Sequence, residues 1–253
     1  MKKINSFLFA IFLPLFLLGC AAAPPHFAQK QANRSAIEAT QRIEIFYHSD
    51  QDYPVLDAGG SNYAGLSGLL GPIGMIAGLG AHAVSKTTMI DRARSRSADF
   101  TKAVHDASGT HDFTEQFAQN LAEQLRVTGR EVKLTEIDRP EGNAVLSKST
   151  AKDMVFTPAY TALVLRTSKS YVAESATSSY RPVVVVEFAL MSSPQQPLVE
   201  SRLSNVLSKP TYITYSGLLT DAKQAADALD NGLLALVPQV QRVVFDMSEL
   251  SSR

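Results

Sequence analysis

Apolar and polar residues alternate along this chain with two periods. Phe113, Phe117, Leu121 and Leu125 recur every four positions, with Ala118 and Ala122 beside them. That spacing places one apolar stripe on a helix. Asp112 and Glu115 supply an acid-x-x-Glu start signal, and Gly129 is placed to close the helix. A second stripe runs through Ala222, Ala226, Leu229, Leu233, Leu236, Val240 and Val243, in steps of four and three. It lasts only about three heptads, lacks a clear flanking charge pattern and contains Gly232 and Pro238. These features favour a kinked amphipathic helix lying on a sheet over a coiled-coil seam.

The period-two segments are strands. "RIEIFYH" (42–48) is β-branched and aromatic, and "REVKLTEI" (130–137) alternates. A β-rich block follows: 153–172, interrupted by Pro158, then 181–191 and 197–207. In the second of these, Val184, Val186, Phe188 and Leu190 share one face, while Val183, Val185 and Ala189 share the other. Apolar residues on both faces mark an interior strand. Turn-rich "ESATSS" and "SSPQQP" separate the three, which predicts an antiparallel meander. The fold class is therefore α+β. We expect a two-layer sandwich: a mostly antiparallel sheet with two main amphipathic helices on one face.

One stretch fits neither period. "GLSGLLGPIGMIAGLG" (65–80) has six glycines and no charge, and Ser61 to Ser85 is uncharged throughout. Its length would allow a membrane span, but glycines and Pro72 are poor helix material, each interior Gly costing ~1 kcal/mol and Pro ~3 kcal/mol relative to Ala. It divides at "GPIG" into two apolar arms, and is read as a Gly-rich hairpin excursion inserted at 61–85. Leu66, Leu69, Leu70, Ile73, Met75, Ile76 and Leu79 are its candidates for membrane or partner contact. The alternative is a hairpin folded back on its own domain.

The N-terminus changes the picture most. Lys2 and Lys3 precede an uncharged segment, Ile4 to Leu18, which is short for a bilayer span and ends in Leu17-Leu18-Gly19-Cys20. "LLGC" resembles the lipobox of bacterial lipoproteins. That resemblance implies cleavage before Cys20 and acylation of Cys20. Ala21, where Asp would retain such a protein in the inner membrane, implies the periplasm-facing leaflet of the outer membrane. Cys20 is the only cysteine in 253 residues, so no internal disulfide can form. The organisation expected is a signal peptide at 1–19, acylated Cys and tether at 20–40, and one periplasmic domain at 41–250. Element order alone is similar to the auxiliary lipoproteins of ABC-type lipid transporters and to the N-terminal module of the Tol β-propeller protein.

Charge excludes a nucleic-acid role. The whole chain holds 24 basic and 24 acidic residues, and removing Lys2 and Lys3 leaves 22 against 24. Chemistry is hard to find. Gly78-Leu79-Gly80-Ala81-His82-Ala83 approximates a dinucleotide loop, but the following "VSKTTMIDRARSRS" reads as a poor helix partner. Gly80 through Ser85-Lys86-Thr87 lacks the second glycine of a phosphate loop. His105-Asp106 and His111-Asp112 offer zinc ligands, but Asp112 is already needed as a helix cap. Asp50, Asp52 and Asp57 lack EF-hand spacing and read as a solvated turn. No catalytic set, cofactor or metal is assigned. The expectation is a non-enzymatic binding or scaffold module of the cell envelope, with the membrane and an envelope protein as partners. The alternatives are a carrier for a lipid-like ligand and a hydrolase with dispersed residues.

Overall fold

A computed structural model of the chain describes residues 25–57, 85–140, 154–157, 159–173, 177–194 and 196–246. The chain enters through two short helices, α1 (Pro25–Ala32) and α2 (Arg34–Glu38). Strands β1 (Arg42–Tyr47) and β2 (Val55–Asp57) follow, then helices α3 (Ser85–Ser108) and α4 (Phe113–Val127). Next come β3 (Glu131–Glu136), β4 (Thr161–Ala173), β5 (Arg181–Ser193) and β6 (Gln196–Val206). Helices α5 (Tyr215–Thr220), α6 (Ala222–Leu234) and α7 (Val237–Phe245) complete the fold.

The expected α+β, two-layer arrangement is what the chain adopts. The sheet runs β3-β1-β4-β5-β6, with β2 on β4 as well. β4, β5 and β6 form the antiparallel meander, and interior β5 is apolar on both faces as its sequence predicts. The remaining pairings, β1 with β3, β1 with β4 and β2 with β4, are parallel, which makes the sheet mixed. Hydrophobic period carries no information on strand direction, so this half is not readable from alternation.

One face of the sheet carries the helices. Phe117, Leu121 and Leu125 of α4 are fully buried there with Leu163, Val184, Val186 and Phe188. Asp112 caps α4 by accepting from the Thr114 and Glu115 N–H groups, and Gly129 (φ +87°) ends it. The Arg130 N–H reaches the Leu125 carbonyl and the Gly129 N–H the Arg126 carbonyl, closing a Schellman turn. The C-terminal stripe is broken rather than kinked. Pro238 lies near the start of α7, and a proline ring is incompatible with the carbonyl four residues earlier, so α6 stops at Leu234. The second face is covered at one end by a smaller apolar group, Phe46, Ile137, Val164, Ala189 and Met191, with Met154 and Phe156 against it.

Two further expectations are corrected. "VSKTTMIDRARSRS", read as a poor helix partner for a dinucleotide loop, lies from Ser85 onward in the longest described helix, Ser85–Ser108. Its buried side consists of Ala93, Phe100 and Val104, with Ser97 spending its hydroxyl on the Ala93 carbonyl and the Val55 N–H. Such a stripe is periodic but too small and polar to register as amphipathic. Residues 25–40, read as tether, are folded onto the domain. Gln29 donates to the Pro197 carbonyl and accepts from the Glu200 N–H, Asn33 donates to the Leu198 carbonyl, and Ile37 is fully buried. No helix among the described residues is long and apolar enough to cross a membrane.

Candidate functional site

The middle of β4 reads Arg166-Thr167-Ser168-Lys169-Ser170, and all five are buried. Five consecutive buried polar residues in an interior strand demand partners, because a buried polar group without one costs ~1–3 kcal/mol. Alternation sends Thr167 and Lys169 to the helical face, and Arg166, Ser168 and Ser170 to the other.

The strand edge explains part of this run. β5 occupies one edge of β4 throughout, so β1 and β2 share the other. β1 pairing stops at Val164 and β2 pairing starts at Tyr171. Between them, among the described residues, side chains take the place of a strand. The Thr167 N–H donates to His48 Nε2 at 3.3 Å, and the Thr167 carbonyl accepts from Arg139 Nη2 at 2.9 Å. Arg139 also donates to Ser168 Oγ at 2.9 Å and to Asp50 Oδ2 at 3.1 Å. His48 and Asp50 follow the carboxyl end of β1, and Arg139 follows that of β3. Two parallel strands thus deliver the plug to one place.

His48 is 1% exposed. Burial, followed by the charge of Arg139, pushes its imidazole down to about 4, so the ring is neutral. Because Nε2 accepts from Thr167, the hydrogen-bond geometry assigns the proton to Nδ1, which lies 3.2 Å from the Ser49 carbonyl oxygen. Burial pushes the Asp50 carboxyl up, against the pull of Arg139. Asp50 is therefore not part of a solvated turn, contrary to its sequence reading, and its side chain is 11% exposed.

Beneath the helices lies a second buried group. Lys169 Nζ is 2.8 Å from Asp230 Oδ1, and the Tyr53 hydroxyl donates to Asp230 Oδ2 at 3.0 Å. The ammonium also lies 3.7 Å from the Tyr53 ring centre and 4.6 Å from that of Phe113. Burial pushes Lys169 down and Asp230 up, each resisted by the other's charge. Thr114 Oγ1 and Thr167 Oγ1, 2.9 Å apart, tie α4 to the same strand.

A crevice of about 790 Å³ opens between α3 and the 49–54 loop. Asp50, Asp52 and Arg139 line one side, and Arg94, Lys102 and His105 of α3 line the other. Both signs of charge are present, and most are matched locally. Lys102 pairs with Asp106, and His105 Nε2 lies 3.0 Å from the Gln51 carbonyl oxygen. His111, the other half of the zinc reading, bonds the Ser108 carbonyl, while Asp112 serves as the cap. Among the described residues no group of three or more His, Cys, Asp or Glu side chains is placed to hold a metal ion.

Cys20 and the contact candidates Leu66, Leu69, Leu70, Ile73, Met75, Ile76 and Leu79 lie outside the described residues, as do the glycines of both loops, while Ser85-Lys86-Thr87 begin α3. Asp57, the last described residue before that stretch, pairs with Ala173 at the far end of β4. Sequence reasoning assigned no role to His48, Arg139, Lys169 or Asp230. The available signal was "RTSKS" inside a strand. No family model, no curated protein and no solved structure matches the chain.

Proposed function

We propose that the chain is a lipoprotein acylated at Cys20, held in the outer membrane facing the periplasm, whose folded part is a non-enzymatic binding or scaffold module for envelope assembly, transport or maintenance. The placement of the crevice carries the binding reading. It opens at the carboxyl ends of parallel β1 and β3, beside a break in the β4 edge, where open sheets with parallel strands receive ligands. The reactive side chains around it are engaged internally: His48 with Thr167, Arg139 with Asp50, and Lys169 with Asp230. That arrangement favours affinity over turnover. The "LLGC" motif with a lone cysteine supports the location.

Photo-crosslinking side chains at Asp52 and Lys102, in cells, test the binding site. A discrete adduct from both positions, and none from Gln119 on the exposed face of α4, is expected. Adducts indifferent to position would remove the crevice from the proposal. Lipid co-purifying with the protein would favour the carrier, and a saturable hydrolysis lost on one Ser or His substitution would establish an enzyme. For the anchor, Cys20→Ser is expected to leave an unprocessed precursor without acyl label, and normal processing would refute it.

A further inference from the structure

We infer that the edge formed by α1 and the start of β6 faces the bilayer and that the opposite end of β6 points into the periplasm. This rests on the lipoprotein reading of Cys20. The argument concerns length. A lipoprotein with a tether through residue 40 would float free of its membrane, but this chain is docked long before that. Gln29 and Asn33 hold α1 against Pro197, Leu198 and Glu200 of β6. Lys30 is 2% exposed and donates to the Arg242 and Asp246 carbonyls at the end of α7. This ammonium therefore fastens the N-terminal helix to the C-terminal one. Helix α1 begins at Pro25. Four residues separate it from Cys20, and at full extension the five Cα–Cα steps between them span at most ~18 Å.

The sheet is longer than this leash. α1 sits where Pro197 and Val199 of β6 face Met191 and Leu190 of β5. Asn205 of β6 faces Val184 near the other end of the strand. The nine steps from Gln196 to Asn205 extend ~30 Å at strand rise. An anchor leashed beside Pro197 therefore keeps one end of β6 near the headgroups and the other end away from them. The crevice lies on the β1 and β2 side of β4, on the far side of the sheet from β6.

Acylation consumes the single native thiol, so a cysteine introduced elsewhere is the only reactive one. Gln196→Cys and Asn205→Cys, both exposed positions of β6, each receive a small fluorophore in the full-length acylated protein. The labelled proteins are placed in vesicles of phosphatidylethanolamine and phosphatidylglycerol containing lipids with a headgroup nitroxide. Quenching several-fold stronger at position 196 than at 205 is expected. A flexible insert of about ten Gly and Ser residues between Cys20 and Pro25 is expected to erase the contrast. Equal quenching in an acylated, vesicle-bound protein, or stronger quenching at 205, overturns the orientation and leaves the lipoprotein reading standing. Contrast that survives the insert overturns the short leash as its cause. A chain that carries no acyl groups and does not sediment with vesicles overturns both readings.

Discussion

Two buried carboxylates, each in an ion pair, sit on opposite faces of the same sheet and solve the same problem differently. On the helical face, Lys169 and Asp230 are both dry, at 3% and 4% side-chain exposure. On the other face, Glu44 is 3% exposed while its partner Lys133 is 54% exposed. Glu44 also accepts from the Thr135 hydroxyl at 2.6 Å and the Thr157 hydroxyl at 3.0 Å. Burial pulls the Glu44 carboxyl up, but these donors outweigh it and hold the group below its ordinary value. For Lys169 and Asp230 burial prevails, and both are driven toward their neutral forms. Donor number and solvent access at one end, rather than the salt bridge itself, decide whether a buried carboxylate is comfortable.

Removing one partner from each pair should separate the two cases. Lys169→Met leaves Asp230 buried with only the Tyr53 hydroxyl, and a loss of ~3–5 kcal/mol is expected in urea unfolding at neutral pH. The double replacement Lys169→Met with Asp230→Leu should recover most of that loss, since an apolar pair in a dry site is often neutral or better. A double variant as unstable as the single would mean that the pair itself holds the helices in place.

His48 extends the comparison to a buried base that, among the described residues, is hydrogen-bonded to no carboxylate. Its folded value of about 4 lies below the ordinary 6.5, so between those values the folded state binds fewer protons than the unfolded chain. Stability from this group is complete above pH 6.5 and falls as pH drops toward 4. The loss amounts to roughly 3 kcal/mol across that window. His48→Gln should flatten the slope, and an unchanged slope would assign it to other groups.

A smaller loss is expected for Glu44→Gln, ~1–3 kcal/mol, because charge-assisted bonds become neutral ones. Its signature is the acid limb. A carboxyl held low contributes stability above its unfolded value and loses it as pH falls through the folded value, so the variant should unfold less steeply in acid. Asp230, pushed up, has the opposite sign: its contribution grows toward acid, and Asp230→Asn should remove that gain. The smallest effect belongs to the exposed Lys223–Asp227 pair of α6, where Lys223→Ala should cost no more than about 0.5 kcal/mol by thermal melt.

The parts of the molecule that were legible in sequence are those held by apolar periodicity. Val184, Val186 and Phe188 announce the interior strand, and Phe117, Leu121 and Leu125 announce α4. Where polar groups do the holding, the pattern goes quiet. Helix α1 is docked by Gln29, Lys30 and Asn33, which read as tether. Helix α3 touches β2 through Ser97, and the Tyr53 N–H through Thr101. The candidate site is of this kind. Its members come from the 48–54 loop, the end of β3, β4 and α6, and no local spacing links His48 to Arg139 or Lys169 to Asp230. The run "RTSKS" went unremarked as part of a strand, and nothing in the sequence names its partners.

The Thr167 amide gives the strand break a spectroscopic handle. Most amides inside a sheet bond to carbonyls, whose acceptor lone pairs persist at any ordinary pH. This one bonds to an imidazole nitrogen, and protonating His48 Nε2 abolishes the acceptor. Its hydrogen–deuterium exchange should therefore accelerate toward acid relative to neighbouring β4 amides, after correction for intrinsic exchange chemistry. A single proton would then report the integrity of the seam where side chains, rather than a neighbouring strand, complete the sheet.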